Sequence, residues 1–301
     1  MSFTLKIKKK SLSMIRFSTF LGTILDECAL EFGGYDDFYV LEEGKVSNKT
    51  VILYNPDRVG RGIYLDAGKL SRGEAAVTYN IPTTAAEIRD FVKVVKAIQK
   101  QLGSVSICDA DEGKTYTIDS LEKEVDEMIA FSEKTLHEFC RNAAEGPLLL
   151  TLAKFPWSAG KETREKFAAD DALEVFEETI HALQTEDVYY AKPALYSNAA
   201  NGGIVAVFTL PTDCEACFPV APGELLVAPG CSLDEKVGGN SEAVIMFVVV
   251  EEKRAIDGLY PYSAFLEYAK GKGAEPFDEN RIRVPGMSEE EILAFIKSLE
   301  E

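Results

Sequence analysis

Cys214 and Cys217 stand two residues apart in LPTDCEACFPVAPG, residues 210–223. That spacing suits half of a zinc site or a thiol–disulfide pair. A tetrahedral zinc needs four ligands. Cys231 could be a third, but neither a histidine nor a second such pair lies near. The fourth would have to be Asp213, Cys28, Cys108 or a residue farther off. A redox pair of the thioredoxin type needs its second cysteine at a helix start, where the N-terminal dipole lowers the thiol pKa. Pro219 and Pro222 argue against a helix there. The segment therefore reads as two reduced thiols in a loop, with no metal and no cofactor.

Histidine chemistry is limited to His137 and His181. His137 and Cys140 sit at i and i+3, so a thiol–imidazole pair is one reading. Cys140 also belongs to the apolar stripe of its helix, and a core thiol is the reading preferred. DADEGK gathers Asp109, Asp111 and Glu112. Positions six and twelve of a calcium loop would fall on Lys114 and Ser120, where glycine and glutamate are needed. A hairpin turn accounts for that segment. GIYLDAGKL and FPWSAGKET both miss the spacing of a phosphate-binding loop, and the chain has neither a dinucleotide fingerprint nor a nucleophile elbow. No catalytic residue is assigned. The remaining candidates are aromatic: Trp157 in FPWSAGK, read as a turn after a strand, and Tyr260 and Tyr262 in GLYPYS. These three are taken as binding residues.

Fifty acidic residues against thirty-two basic ones leave a net charge of -18. Such a chain repels a phosphate backbone, so nucleic acid is not an expected partner, whereas a basic protein is. The one basic cluster is Lys6, Lys8, Lys9 and Lys10. It reads as a solvated edge strand whose lysines discourage pairing with other chains, with contact to an anionic surface as the alternative. Arg16 interrupts the apolar run after these lysines, and no cleavage site of small residues follows, so an export signal is rejected. The longest apolar run, AVIMFVVV, falls far short of the ~20 residues that span a bilayer. The expected location is the cytoplasm, away from membranes, with reduced cysteines.

Capping pairs and apolar spacing predict helices over 84–102, 120–141, 171–184 and 288–299. Between them FTLKI, VILYN, GIYLD, AAVTYNI, SVSIC, KTYTI, LLLTLAKF, VYYAKPALY, GIVAVFTL, ELLVAP and AVIMFVVVEE read as strands. Hairpins interleaved with helices indicate an α+β fold with mixed or mainly antiparallel sheets and helices packed on them. TYNIP, a helix and SVSIC echo LAKFP, a helix and VYYAKP, which suggests two similar halves. The polar stretch RNAAEGP places their boundary, giving halves at 1–143 and 147–301.

Over nearly its full length the chain resembles a bacterial family of about 300 residues known only as a domain of unknown function. The resemblance rests on FTLKIKKK, VGRGIYL, NIPTTAAEIRDF, SNAANGGIVAVFTLP and the tyrosine-containing segment before the last helix. It implies no activity and no catalytic residue. Two functional readings follow. The first is a non-enzymatic module that binds a protein, for instance a basic one, by charge complementarity. The second is a hydrolase or metal-dependent enzyme using scattered carboxylates such as Asp109, Asp111 or Asp213. A broad acidic face with aromatics would mark the binder, and a pocket with converging carboxylates the enzyme.

Overall fold

In β1 (Ser2–Lys9) Leu5 and Ile7 are fully buried, while Lys6 and Lys8 face solvent. This is the period-two alternation of a strand with one covered face. The computed structural model describes the chain except residues 10, 11, 13, 143–147, 170, 199–201, 222–240 and 301. β1 pairs antiparallel with β6 (Glu74–Asn80) on one side and β7 (Val105–Asp109) on the other. It is therefore an interior strand. This corrects the edge-strand reading of its lysines, since both of its backbone rims are already paired.

Around β1 runs an eight-stranded antiparallel sheet of order β3-β2-β4-β5-β6-β1-β7-β8. The further strands are β2 (Glu31–Tyr35), β3 (Leu41–Glu43), β4 (Thr50–Tyr54), β5 (Ile63–Asp66) and β8 (Thr115–Tyr116). Three helices, α1 (Phe17–Cys28), α2 (Ala85–Leu102) and α3 (Ile118–Asn142), supply the rest of its core. The inward stripe of α2, with Ile88, Phe91, Val95 and Ile98 all fully buried, meets Leu5, Ile7, Val77 and Tyr79 from the strands. The hairpin β9 (Leu148–Thr151) and β10 (Pro156–Ala159) follows, then α4 (Lys161–Lys166) and α5 (Ala172–Thr185).

The chain groups into two compact units, Met1–Glu186 and Asp187–Glu301. Residues after 147 up to 186 belong with the first unit because α3 packs on α4 and α5, and Gln184 Nε2 donates to Gly60 O at 2.9 Å. The sequence reading grouped them with the second half, and its boundary stretch falls mostly outside the described residues.

The second unit holds two four-stranded sheets. One has the order β11 (Tyr189–Tyr190), β14 (Ala216–Pro219), β18 (Arg281–Val284), β17 (Glu275–Asp278). The other runs β12 (Ala194–Ser197), β13 (Ile204–Pro211), β15 (Ser241–Val249), β16 (Arg254–Pro261). The β11–β14 and β13–β15 pairs are parallel and the rest antiparallel. Helices α6 (Tyr262–Gly271) and α7 (Glu289–Ser298) complete its core around Phe208, Phe218, Phe247, Phe265 and Phe295. The architecture is α+β with mainly antiparallel sheets. The two echoing segments do not repeat one motif: β6 and β7 flank β1 in a single sheet, whereas LAKFP joins β9 to β10 in a two-stranded hairpin and β11 lies in another sheet.

Candidate functional site

Helix α3 is the longest in the described chain, and its two sides differ sharply. Ile118, Leu121 and Leu136 are buried, with Val125, Met128 and Ile129 packed beside them. The outer side carries Asp119, Glu122, Asp126, Glu127 and Glu138 together with two phenylalanines. Phe131 is 47% exposed and Phe139 40%. Glu127, Phe131 and Glu138 stand at i, i+4 and i+11, which puts them on one line of the helix; the two rings lie about 12 Å apart along the axis. The helix holds seven carboxylates against three cations, Lys123, Lys134 and Arg141. Glu122 pairs with Lys96 at 2.7 Å, Glu124 with Lys114 at 2.7 Å, and Glu138 with Lys134 at 3.7 Å. Asp119, Asp126 and Glu127 have no ion pair among the described residues. The face is thus acidic, with two aromatic rings in it.

A buried polar relay fixes this helix. Ser132 on α3 donates its hydroxyl to Thr83 O at 2.6 Å and accepts from Thr83 N at 2.7 Å. The Thr83 hydroxyl donates in turn to Glu87 Oε1. Thr84 caps α2 by accepting from Glu87 N at 3.0 Å, as its position before the apolar run predicts. The reciprocal half of the expected capping box is diverted. Glu87 turns its carboxylate into the 59–62 loop and accepts from Gly62 N at 2.6 Å. Burial pushes its carboxyl up, and the Thr83, Gly62 and Arg61 donors oppose that rise. Arg61 is buried beside it, donating to Thr151 O at 3.1 Å and Pro82 O at 2.8 Å. The glycines of VGRGIYL follow from this packing. A Cβ on Gly60 would collide with the Glu87 carboxylate, and Gly62 has φ +85 with Ile52 Cγ2 2.5 Å from where its Cβ would be.

The aromatics expected from sequence have different surroundings. Trp157 lies in β10 rather than a turn; it is 3% exposed and its ring sits 6.1 Å from Phe167. Tyr262 opens α6, is 2% exposed, and donates to Pro219 O at 2.7 Å. Tyr260 is half-buried, ring to ring with Phe247 at 5.7 Å, and its hydroxyl donates to Asp257 O. Sequence reasoning passed over Phe131 and Phe139. The signal was present for Phe131, which falls off the stripe of Val125, Met128, Ile129 and Leu136. Phe139 continues that stripe at i+3 from Leu136, near the end of the helix, and spacing alone gave no sign of its exposure.

The other candidate groups are tied up locally. Asp109 Oδ1 accepts from Asp111 N and Glu112 N at 2.7 and 2.8 Å, closing the hairpin turn. Asp213 lies in the second unit, at φ 55, with its N–H on Met287 O. His137 Nε2 contacts Ala169 O at 2.9 Å, and burial pushes the Cys140 thiol up to about 11, the reverse of an activated nucleophile. Cys217 is a buried thiol in β14. Cys214 is a free thiol in the turn before it, pushed up by burial, and Cys217 lies inside a strand rather than at a helix start. Cys231 lies outside the described residues, among which no group of three or more His, Cys, Asp or Glu is placed to hold a metal. No helix among the described residues is long and apolar enough to cross a membrane.

A family model described as a domain of unknown function matches residues 1–295. No curated protein and no solved structure matches the chain.

Proposed function

Since the chain belongs to the DUF4299 family, whose description assigns no activity, we propose that it is a non-enzymatic cytoplasmic module that binds a basic protein through the outer face of α3. The observation that carries this reading is the pair of exposed rings, Phe131 and Phe139, set among carboxylates. Solvated carboxylates alone would be an ordinary surface, and a helix needs no exposed phenylalanine to fold. Burying the exposed half of each ring removes ~90 Å² of apolar surface, about 2 kcal/mol per ring at ~25 cal/mol/Å². Asp126 and Glu127, without an ion pair among the described residues, would meet lysines or arginines and speed encounter at low salt. Rings as anchors and charges as the rim is the division seen at protein interfaces.

The test is capture from native lysate at low and moderate salt, with the wild type beside F131A/F139A and D126K/E127K. A stoichiometric basic protein that is lost with both variants, and weakened by salt, supports the reading. Equal recovery by wild type and both variants refutes it.

A further inference from the structure

The lysines of β1 raise a separate question. They are not guarding an edge, because β1 is paired on both sides. They stand instead on the sheet face opposite the helices, in register with particular neighbours. Lys6 lies across from Ala76, and Ala76 across from Asp66 on β5; Lys8 lies across from Glu74. A methyl group between two longer side chains leaves a depression. It has a volume of about 270 Å³, and Lys69 from the following turn also lines it. Asp66 Oδ1 holds that turn by accepting from Gly68 N at 2.8 Å.

The charges in this groove are unevenly used. Lys8 pairs with Glu74 at 2.8 Å, so these two neutralise each other. Lys8, Lys69 and Arg72 all hold the Glu74 carboxyl below its usual range, with the Lys8 hydrogen bond the largest contribution. Lys6 and Lys69 have no ion pair among the described residues. Two ammonium groups without an ion pair among the described residues thus line one small concavity on a chain of net charge -18.

We infer that this groove binds a small phosphorylated molecule, with the phosphate held by Lys6 and Lys69 and a hydroxyl or amine of the same molecule donating to Asp66. Ammonium groups are compact point charges with several donors, which suit a tetrahedral dianion. A planar carboxylate is better matched by an arginine fork, and the groove lining has none. Asp66 keeps acceptor capacity beyond its bond to Gly68, since its second oxygen accepts nothing among the described residues, and it forms the wall opposite Lys6 across Ala76. The volume lies near the small end of ligand pockets, which fits a sugar phosphate better than a nucleotide. A long polyanion is disfavoured by the acidity of the rest of the chain.

The experiment is an amide NMR titration of the full chain at fixed ionic strength. The probes are glucose 6-phosphate, inorganic phosphate and glucose. Glucose 6-phosphate is expected to shift resonances of residues 6, 66, 69 and 76 saturably, with a Kd of about 1 mM or tighter. The K6E/K69E variant should weaken that binding about tenfold or more, while a K123E/K134E control on α3 leaves it unchanged. These lysines are exposed, so both variants fold, and their dispersed spectra verify it. Absence of saturation at about 10 mM, or equal affinity in K6E/K69E, would overturn the site. Inorganic phosphate binding as tightly as glucose 6-phosphate would overturn the contact assigned to Asp66.

Discussion

Replacing Glu87 tests how the buried relay positions α3. In E87A, Gly62 N–H and the Thr83 hydroxyl both lose their acceptor in a buried place. Each orphaned donor costs about 1–3 kcal/mol, and the neighbouring Arg61 loses its counter-charge. The total expected is about 3–5 kcal/mol. E87Q keeps shape and one carbonyl, so about 1–2 kcal/mol is expected. The pH dependence follows from burial, which raises the folded carboxyl above its ordinary 4.5. A raised carboxyl binds its proton more tightly in the folded state. The stability it contributes is therefore full below about 4.5 and lost as pH rises through the folded value. Glutamine does not titrate, so the gap between wild type and E87Q should narrow from acid toward neutral pH. Urea melts followed by far-ultraviolet circular dichroism at several pH values read both effects. An E87A cost under about 1 kcal/mol, or a gap that widens with pH, would refute the reasoning.

Thr84→Ala removes the hydroxyl that accepts from Glu87 N and should cost about 1 kcal/mol in the same assay. Phe91→Ala empties a fully buried site where the ring lies 4.9 Å from Tyr79, and should cost about 3–5 kcal/mol; a smaller loss than Thr84→Ala would mean that the α2 face is misassigned. Gly62→Ala must hold φ +85 with its Cβ against Ile52, so thermal melts should show a loss of about 2 kcal/mol or more; a neutral result would contradict the tight loop. Elemental analysis of protein prepared without chelator should find no stoichiometric zinc; one zinc per chain, lost with stability in C214S/C217S, would reverse the reading of the two cysteines.

Much of the fold was legible where the signal is local. The apolar stripes of α2 and α3 predicted those helices to within about two residues of the observed ends. Ser288 and Glu291 form the full capping box expected for α7. Helix α1 was missed because its cues are absent: Arg16 makes no side-chain cap, and Ala29 rather than glycine takes the left-handed position at its end. Strands β2 and β14 were missed because Gly33, Gly34 and Pro219 weaken the strand pattern. Placement within the sheet was out of reach, since β1 pairs with residues more than sixty positions away. That non-local fact turned its lysines from an edge guard into the lining of a groove. The same limit hid the candidate site. Loop composition pointed to Trp157, which pairing with β9 buries, while the rings left exposed sat on a helix whose apolar stripe had already been counted.

The central claim, that α3 presents a docking face, is tested most directly by photocrosslinking in the native cell. A p-benzoylphenylalanine placed at Phe131 or Phe139 should give the same adduct with one basic protein, and D126K/E127K should abolish it. The same probe at Tyr196, 60% exposed on β12, serves as the comparison and should not give that adduct. No adduct at either α3 position, or the same adduct from Tyr196 alone, would contradict the account.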